Sequence, residues 1–184
     1  MTRSKTLTAL ASALAIASPA PAAAAAGPPR YCGPDSVESS IGPNDSMERE
    51  TLQRLNAIRR EHGMPELRSN SRLQAAAMAH ARDMLSRRYF AHFGPNGDSW
   101  SARIRRSGYL ARHGSWTIGQ NIAWGRYQCR APRGVVYMWM HSPPHRHVIL
   151  TGRFRDVGIA VVDGAPVPVQ GPASTYVANF GVKR

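Results

Sequence analysis

The sequence predicts an α+β fold. Two early stretches repeat apolar residues at the three-to-four spacing of an amphipathic helix. Two late stretches are short, apolar and rich in β-branched residues, as strands are. The helical stretches precede these strands without βαβ alternation, which favours an antiparallel sheet over a parallel one.

The chain opens MTRSKTLTALASALAIASPAPAAAAAGPPR. Arg3 and Lys5 form a basic head, Leu7 to Ala17 an apolar stretch too short to span a bilayer, and Ala24-Ala25-Ala26 a small-residue cleavage site. That pattern is a secretory signal over residues 1–26 rather than a transmembrane helix. Residues 27–46, rich in Gly, Pro and Ser, read as a flexible arm. Residues 47–184 then suit one domain with one core.

SMERETLQRLNAIRREH (46–62) is the first helix, with Leu52, Leu55 and Ile58 on one face. Ser46 is its expected cap, Glu48 and Glu50 favour its dipole, and Gly63 and Pro65 end it. The second helix runs over 71–87. Leu73, Ala76, Ala77, His80, Ala81 and Met84 line its apolar side, His80 as a core histidine. YFAHFGPNGDSW is a loop, and Asp98 or Ser99 caps a short helix, SWSARIRRSGY. GQNIAWG (119–125) is a strand or loop entering the core. Ala131 to Met140 is helical, with Val135, Val136 and Trp139 inward. Ser142-Pro143 starts another helix, since Ser caps and Pro suits the first helical position. VGIAVVDG (157–164) and TYVANFG (175–181) are the late strands, joined as a hairpin with a long connection.

The formal net charge is +13. Residues 84–155 hold twelve arginines and one acid, Asp98, a balance of +11. Such a half attracts anions. Export argues against nucleic acid and for an anionic envelope component, a phospholipid or acidic glycan surface, with Arg103, Arg105 and Arg106 as the expected contacts. Cys32 and Cys129 would meet an oxidising compartment, so a single disulfide is expected between them.

HSPPHRH (141–147) looks at first like a metal site. His141 and His145 are four apart, as in helical zinc motifs. But Pro143 and Pro144 break any helix between them, and no Glu is present to act as a base. A local zinc-hydrolase site is therefore rejected, and His141 and His147 are expected to be exposed. His145 could face a cleft completed by distant residues.

Seven stretches occur in a recognisable order between Leu52 and Gly181: LNAIRREHGMPEL, LQAAAMAHARDM, FAHFGPNGDSWSARIRRSGY, GQNIAWG, VVYMWMHSPPHRHVIL, FRDVGIAVV and YVANFG. Together they resemble a bacterial CAP domain, of the superfamily of cysteine-rich secretory proteins, insect antigen 5 allergens and plant pathogenesis-related proteins. The resemblance implies a three-layer α-β-α sandwich with a central antiparallel sheet and a cleft. Relatives commonly line that cleft with two histidines and two glutamates, and in some the histidines bind a divalent metal. Carried over by motif, the histidines are His92 and His145, and the glutamates fall on Gln120 and Ser142.

This chain thus keeps both imidazoles and lacks both carboxylates. His92 and His145 could hold at most a weakly bound Zn²⁺, completed by water, because tight sites have three or four protein ligands. No cofactor is required. The reading that follows is a secreted, non-enzymatic binding module for a lipid-like or anionic envelope ligand, in keeping with lipid and sterol binding in the family. The alternatives are a histidine- or metal-dependent extracellular hydrolase and a protein-interaction or signalling module.

Overall fold

A computed structural model describes residues 44–110 and 114–183. The signal, most of the arm and Cys32 lie outside the described residues. The elements are helix α1 (Asn44–Glu61), strand β1 (Arg68–Ser69), helices α2 (Ser71–Arg87) and α3 (Trp100–Arg106), strand β2 (Trp116–Arg126), helices α4 (Pro132–Met140) and α5 (Pro143–Ile149), and strands β3 (Asp156–Asp163) and β4 (Ala173–Lys183).

The sheet order is β1-β3-β4-β2. β4 runs antiparallel to both neighbours, as expected for the late strands. The two-residue β1, which the sequence did not announce, pairs parallel with β3, so the sheet is antiparallel only in its three long strands. β2 is longer than the expected 119–125 and forms one edge. α1, α4 and α5 cover one face through Leu55, Val135, Trp139 and Ile149, which pack on Val157, Ile159, Tyr176 and Phe180. α2 covers the other through Ala77, Ala81 and Met84 on Ile122, Ala160 and Val177, with α3 beside it. Three layers result, because each long strand alternates its side chains between two apolar neighbours.

The first helix begins at Asn44, two residues before the expected start. Ser46 is therefore not its cap, and the expected arm ends in the helix's first turn. Glu48 has a larger task than the dipole. Its carboxylate accepts from Val161 N at 3.0 Å and from Gln74 Nε2 at 2.7 Å, closing the β3 edge beyond β1 and clasping α1 to α2. Arg59, fully buried, donates to the carbonyls of Pro65, Ile149, Thr151 and Phe154. It fastens the end of α5 to α1 without any carboxylate. Ser99, one of the two expected caps, receives Ala102 N at 3.1 Å.

The sheet and α2 approach closely at Gly158. A Cβ there would meet Gln74 N at 2.0 Å and Leu73 C at 2.1 Å. Both are backbone atoms that no rotamer change can move. Gly158→Ala is expected to cost about 3 kcal/mol or more, the upper range for overpacking. Urea denaturation checks this; a loss under about 1 kcal/mol would mean that α2 does not rest on β3 as described.

Candidate functional site

The site forms at the free edge of β2, where consecutive residues point to opposite faces. Gln120 faces α2 and Asn121 faces α5. Each holds one of the two histidines.

On the α2 face, Gln120 stands opposite Asn179 of β4, and Asn179 opposite Gly158 of β3. This row across three strands is a hydrogen-bonded chain. Asn179 Nδ2 donates to Leu73 O at 3.2 Å, Gln120 Nε2 donates to Asn179 Oδ1 at 2.8 Å, and Gln120 Oε1 lies 2.8 Å from His92 Nδ1. The Leu73 carbonyl can only accept, so the Asn179 nitrogen faces it and the Asn179 oxygen faces Gln120. The Gln120 oxygen is then left for His92, whose Nδ1 must carry a proton. Nε2 of His92 keeps its lone pair. Burial, and secondarily the Arg103 charge, holds this imidazole below its ordinary pKa.

On the α5 face, Asn121 Nδ2 donates to His145 O at 3.0 Å, seating the start of α5. His145 Nδ1 lies 2.7 Å from Ser142 Oγ. That contact takes the Ser142 hydroxyl away from capping, and α5 has no side-chain cap bond. Burial, and then the neighbouring His92, lowers the His145 pKa to about 4. His92, Gln120, Ser142 and His145 are thus assembled around one edge from opposite layers. His141, stacked on Tyr137, and His147 belong to a separate hollow of about 470 Å³ with Met140, Pro143, Arg146 and Leu150.

Of the three expected anion contacts, only Arg105 and Arg106 are exposed. Arg103 is 6% exposed and spends its guanidinium on His92 O and on the backbone and carboxylate of Asp98. It pins the loop that carries His92. Arg106 pairs with Asp98 at 2.7 Å. No free cysteine is present among the described residues, where Cys129 is buried; Cys32, its expected partner, lies outside them.

Two residues were missed by the sequence reading: Asn179, which sets the Gln120 amide, and Asn121, which seats His145. The available signal was an amide inside an otherwise apolar strand, as in YVANFG, where a buried polar group needs a designated partner.

The donor set can supply two imidazole Nε2 atoms to a ligand. Among the described residues no group of three or more His, Cys, Asp or Glu is arranged to hold a metal ion. Ser142 and His145 form a hydrogen-bonded pair of the nucleophile–base type. However, the oxyanion of a substrate carbonyl attacked by Ser142 would need backbone N–H donors, and Pro143 and Pro144, which open α5, have none.

The chain belongs to the CAP, or cysteine-rich secretory protein, family, whose model matches residues 52–180. It is 30% identical over 135 residues to the uncharacterized protein YkwD of Bacillus subtilis, covering 73% of this chain and 49% of that one. It is 27% identical over 114 residues to the uncharacterized membrane protein YlbC of the same organism, covering 62% and 31%. The chain therefore spans about half of the first relative and a third of the second. Among solved structures it superposes on an extracellular SCP-domain protein of Bacillus anthracis (TM-score 0.60, 22% identity, 77% of this chain and 44% of that one). It also superposes on an outer surface protein of Borrelia burgdorferi (TM-score 0.59, 17% identity, 76% and 94%). These structures share the fold.

The depressed histidines make stability pH-dependent. His80, fully buried, is lowered to about 4 by burial and then by the Arg103 charge, as His145 is by its surroundings. Unfolded, both protonate near about 6.5. Between those values the unfolded chain binds more protons, so the stabilisation present above about 6.5 is lost as pH falls towards 4. The thermal midpoint is expected to drop between about pH 7 and 4.5, and His145→Gln to flatten part of that drop. A midpoint unchanged across this range would contradict the burial of the two rings.

Proposed function

We propose that this chain is an exported binding module whose cleft takes an uncharged polar group of an amphiphilic ligand. The observation that carries this reading is the Gln120–Asn179 amide pair, which stands where relatives place a carboxylate. An amide cannot take up a proton at working pH, so acid–base hydrolysis would fall to the imidazoles alone. The neutral His92 and His145 suit a hydroxyl or carbonyl, which they can meet at no charge cost.

Export is supported by the signal-type leader and by the extracellular and surface descriptions of the B. anthracis and B. burgdorferi proteins. A Cys32–Cys129 disulfide, tying the arm to the domain, belongs to the same reading. The test is a mass-spectrometric inventory of molecules that co-purify with the mature chain from its native extracellular fraction. A recurrent amphiphile lost in His92→Ala and His145→Ala is expected; turnover of an ester or peptide that requires Ser142 or His145 would overturn the reading in favour of a hydrolase.

Zn²⁺ is expected to bind weakly, through His92 and His145. Gln120→Glu should tighten it by roughly tenfold, because a carboxylate on His92 Nδ1 raises the basicity of the ligating Nε2, and should cost about 1–3 kcal/mol of stability as Asn179 loses its partner. Calorimetric titration and thermal unfolding read the two effects. Binding abolished by His141→Ala but retained in His92→Ala would place the metal on HSPPHRH instead.

A further inference from the structure

The turn between α2 and α3 is tied down from within. Arg103 reaches His92 O and Asp98 O, Gly94 N donates to Asp98 O at 2.9 Å, and Arg87 Nη1 donates to Asn96 Oδ1 at 2.9 Å. α2 itself ends in a left-handed Arg88, at φ 55°, where glycine would be easier. Yet this well-held turn sends two phenyl rings outward. Phe90 is 38% and Phe93 52% exposed, whereas Phe154 and Phe180 are buried in the core. Two of the three large exposed apolar side chains among the described residues therefore lie on one loop, three positions apart.

Both helices that the turn joins end in exposed arginines. Arg87 and Arg88 close α2; Arg105 and Arg106 close α3. Asp98 and Asp83 offset Arg106 and Arg87, but Arg88 and Arg105 have no carboxylate partner among the described residues. A fixed loop carrying apolar rings among uncompensated guanidinium groups matches one environment on both counts. The acyl boundary of a bilayer takes phenyl rings, and the phosphates above it take arginines. A purely polyanionic partner would have no use for the rings, and a neutral apolar partner none for the charge.

We propose that the Arg88–Ser99 turn docks this domain on an anionic lipid surface, with Phe90 and Phe93 entering the acyl boundary and Arg88 and Arg105 holding lipid phosphates. This rests on the exported, amphiphile-binding reading above and names the surface from which that ligand would come. Because His92 lies between the two phenylalanines, docking sets the cleft at the lipid surface.

The test uses the mature chain and flotation with vesicles of phosphatidylcholine, alone or mixed with phosphatidylglycerol. Wild type is expected to float only with the acidic vesicles, and less as salt rises. Phe90→Ser/Phe93→Ser and Arg88→Ala/Arg105→Ala should each weaken binding by roughly tenfold or more, with the circular dichroism and thermal midpoint unchanged. Equal binding to both vesicle types, or full binding by the phenylalanine variant, overturns the proposal; so does equal capture by soluble polyglutamate, which would make the surface one for acidic polypeptides. His145→Ala serves as the comparison. It should float like wild type while losing the co-purifying amphiphile. Failure of wild type to float, with the amphiphile retained, overturns the docking turn alone, and failure of both overturns the reading beneath it.

Discussion

The site depends on one hydrogen bond, from the Asn179 amide to the Leu73 carbonyl. A backbone carbonyl accepts and never donates, so this bond fixes which way Asn179 lies, then which way Gln120 lies, and finally which His92 nitrogen carries the proton. The bond exists because α2 can lie against β3 at Gly158, where even a methyl group would meet backbone at 2.0 Å. A packing constraint on one strand is thereby converted into the tautomer of an imidazole held two strands away. A buried amide contributes about 1 kcal/mol when paired and costs roughly 1–3 kcal/mol when orphaned, so the orientation is held by the penalty for breaking it rather than by strong attraction.

The same logic explains how the site manages without carboxylates. A buried glutamate beside His92 would favour an imidazolium and would present an oxygen to the oxygen of Asn179. Glutamine presents a nitrogen there and an oxygen to the ring, which satisfies both neighbours with no net charge. On the other face, Asn121 and Ser142 hold His145 with neutral groups too. The buried Arg103 of this arginine-rich half, like Arg59 of α1, has its charge absorbed largely by backbone carbonyls.

Much of this was legible in the sequence. The period of three and four in LQAAAMAHARDM placed α2 and its inward residues, and Pro143 separated His141 from His145 because proline cannot continue a helix. Family motifs pointed to His92, Gln120 and His145, and His92 and Gln120 are hydrogen-bonded. The roles of Asn121 and Asn179 were not legible, since Gln120 and Asn179 are 59 positions apart and meet only through strand register. Nor was the burial of Arg103: its charge reads as surface until the loop folds back and offers it the carbonyls of His92 and Asp98. Sequence patterns of local period report faces, and a hydrogen-bond chain that runs across strands has no local period.

The amide row should set His92 as the neutral Nδ1–H tautomer. Long-range ¹H–¹⁵N correlation of the imidazole nitrogens, at a pH near 7 in the mature chain, reads the tautomer directly. The expected result is a protonated, pyrrole-type Nδ1 and an unprotonated Nε2 in His92, with the preference weakened in Asn179→Ala. A protonated Nε2 with a bare Nδ1, or a cationic His92 ring at that pH, would contradict it.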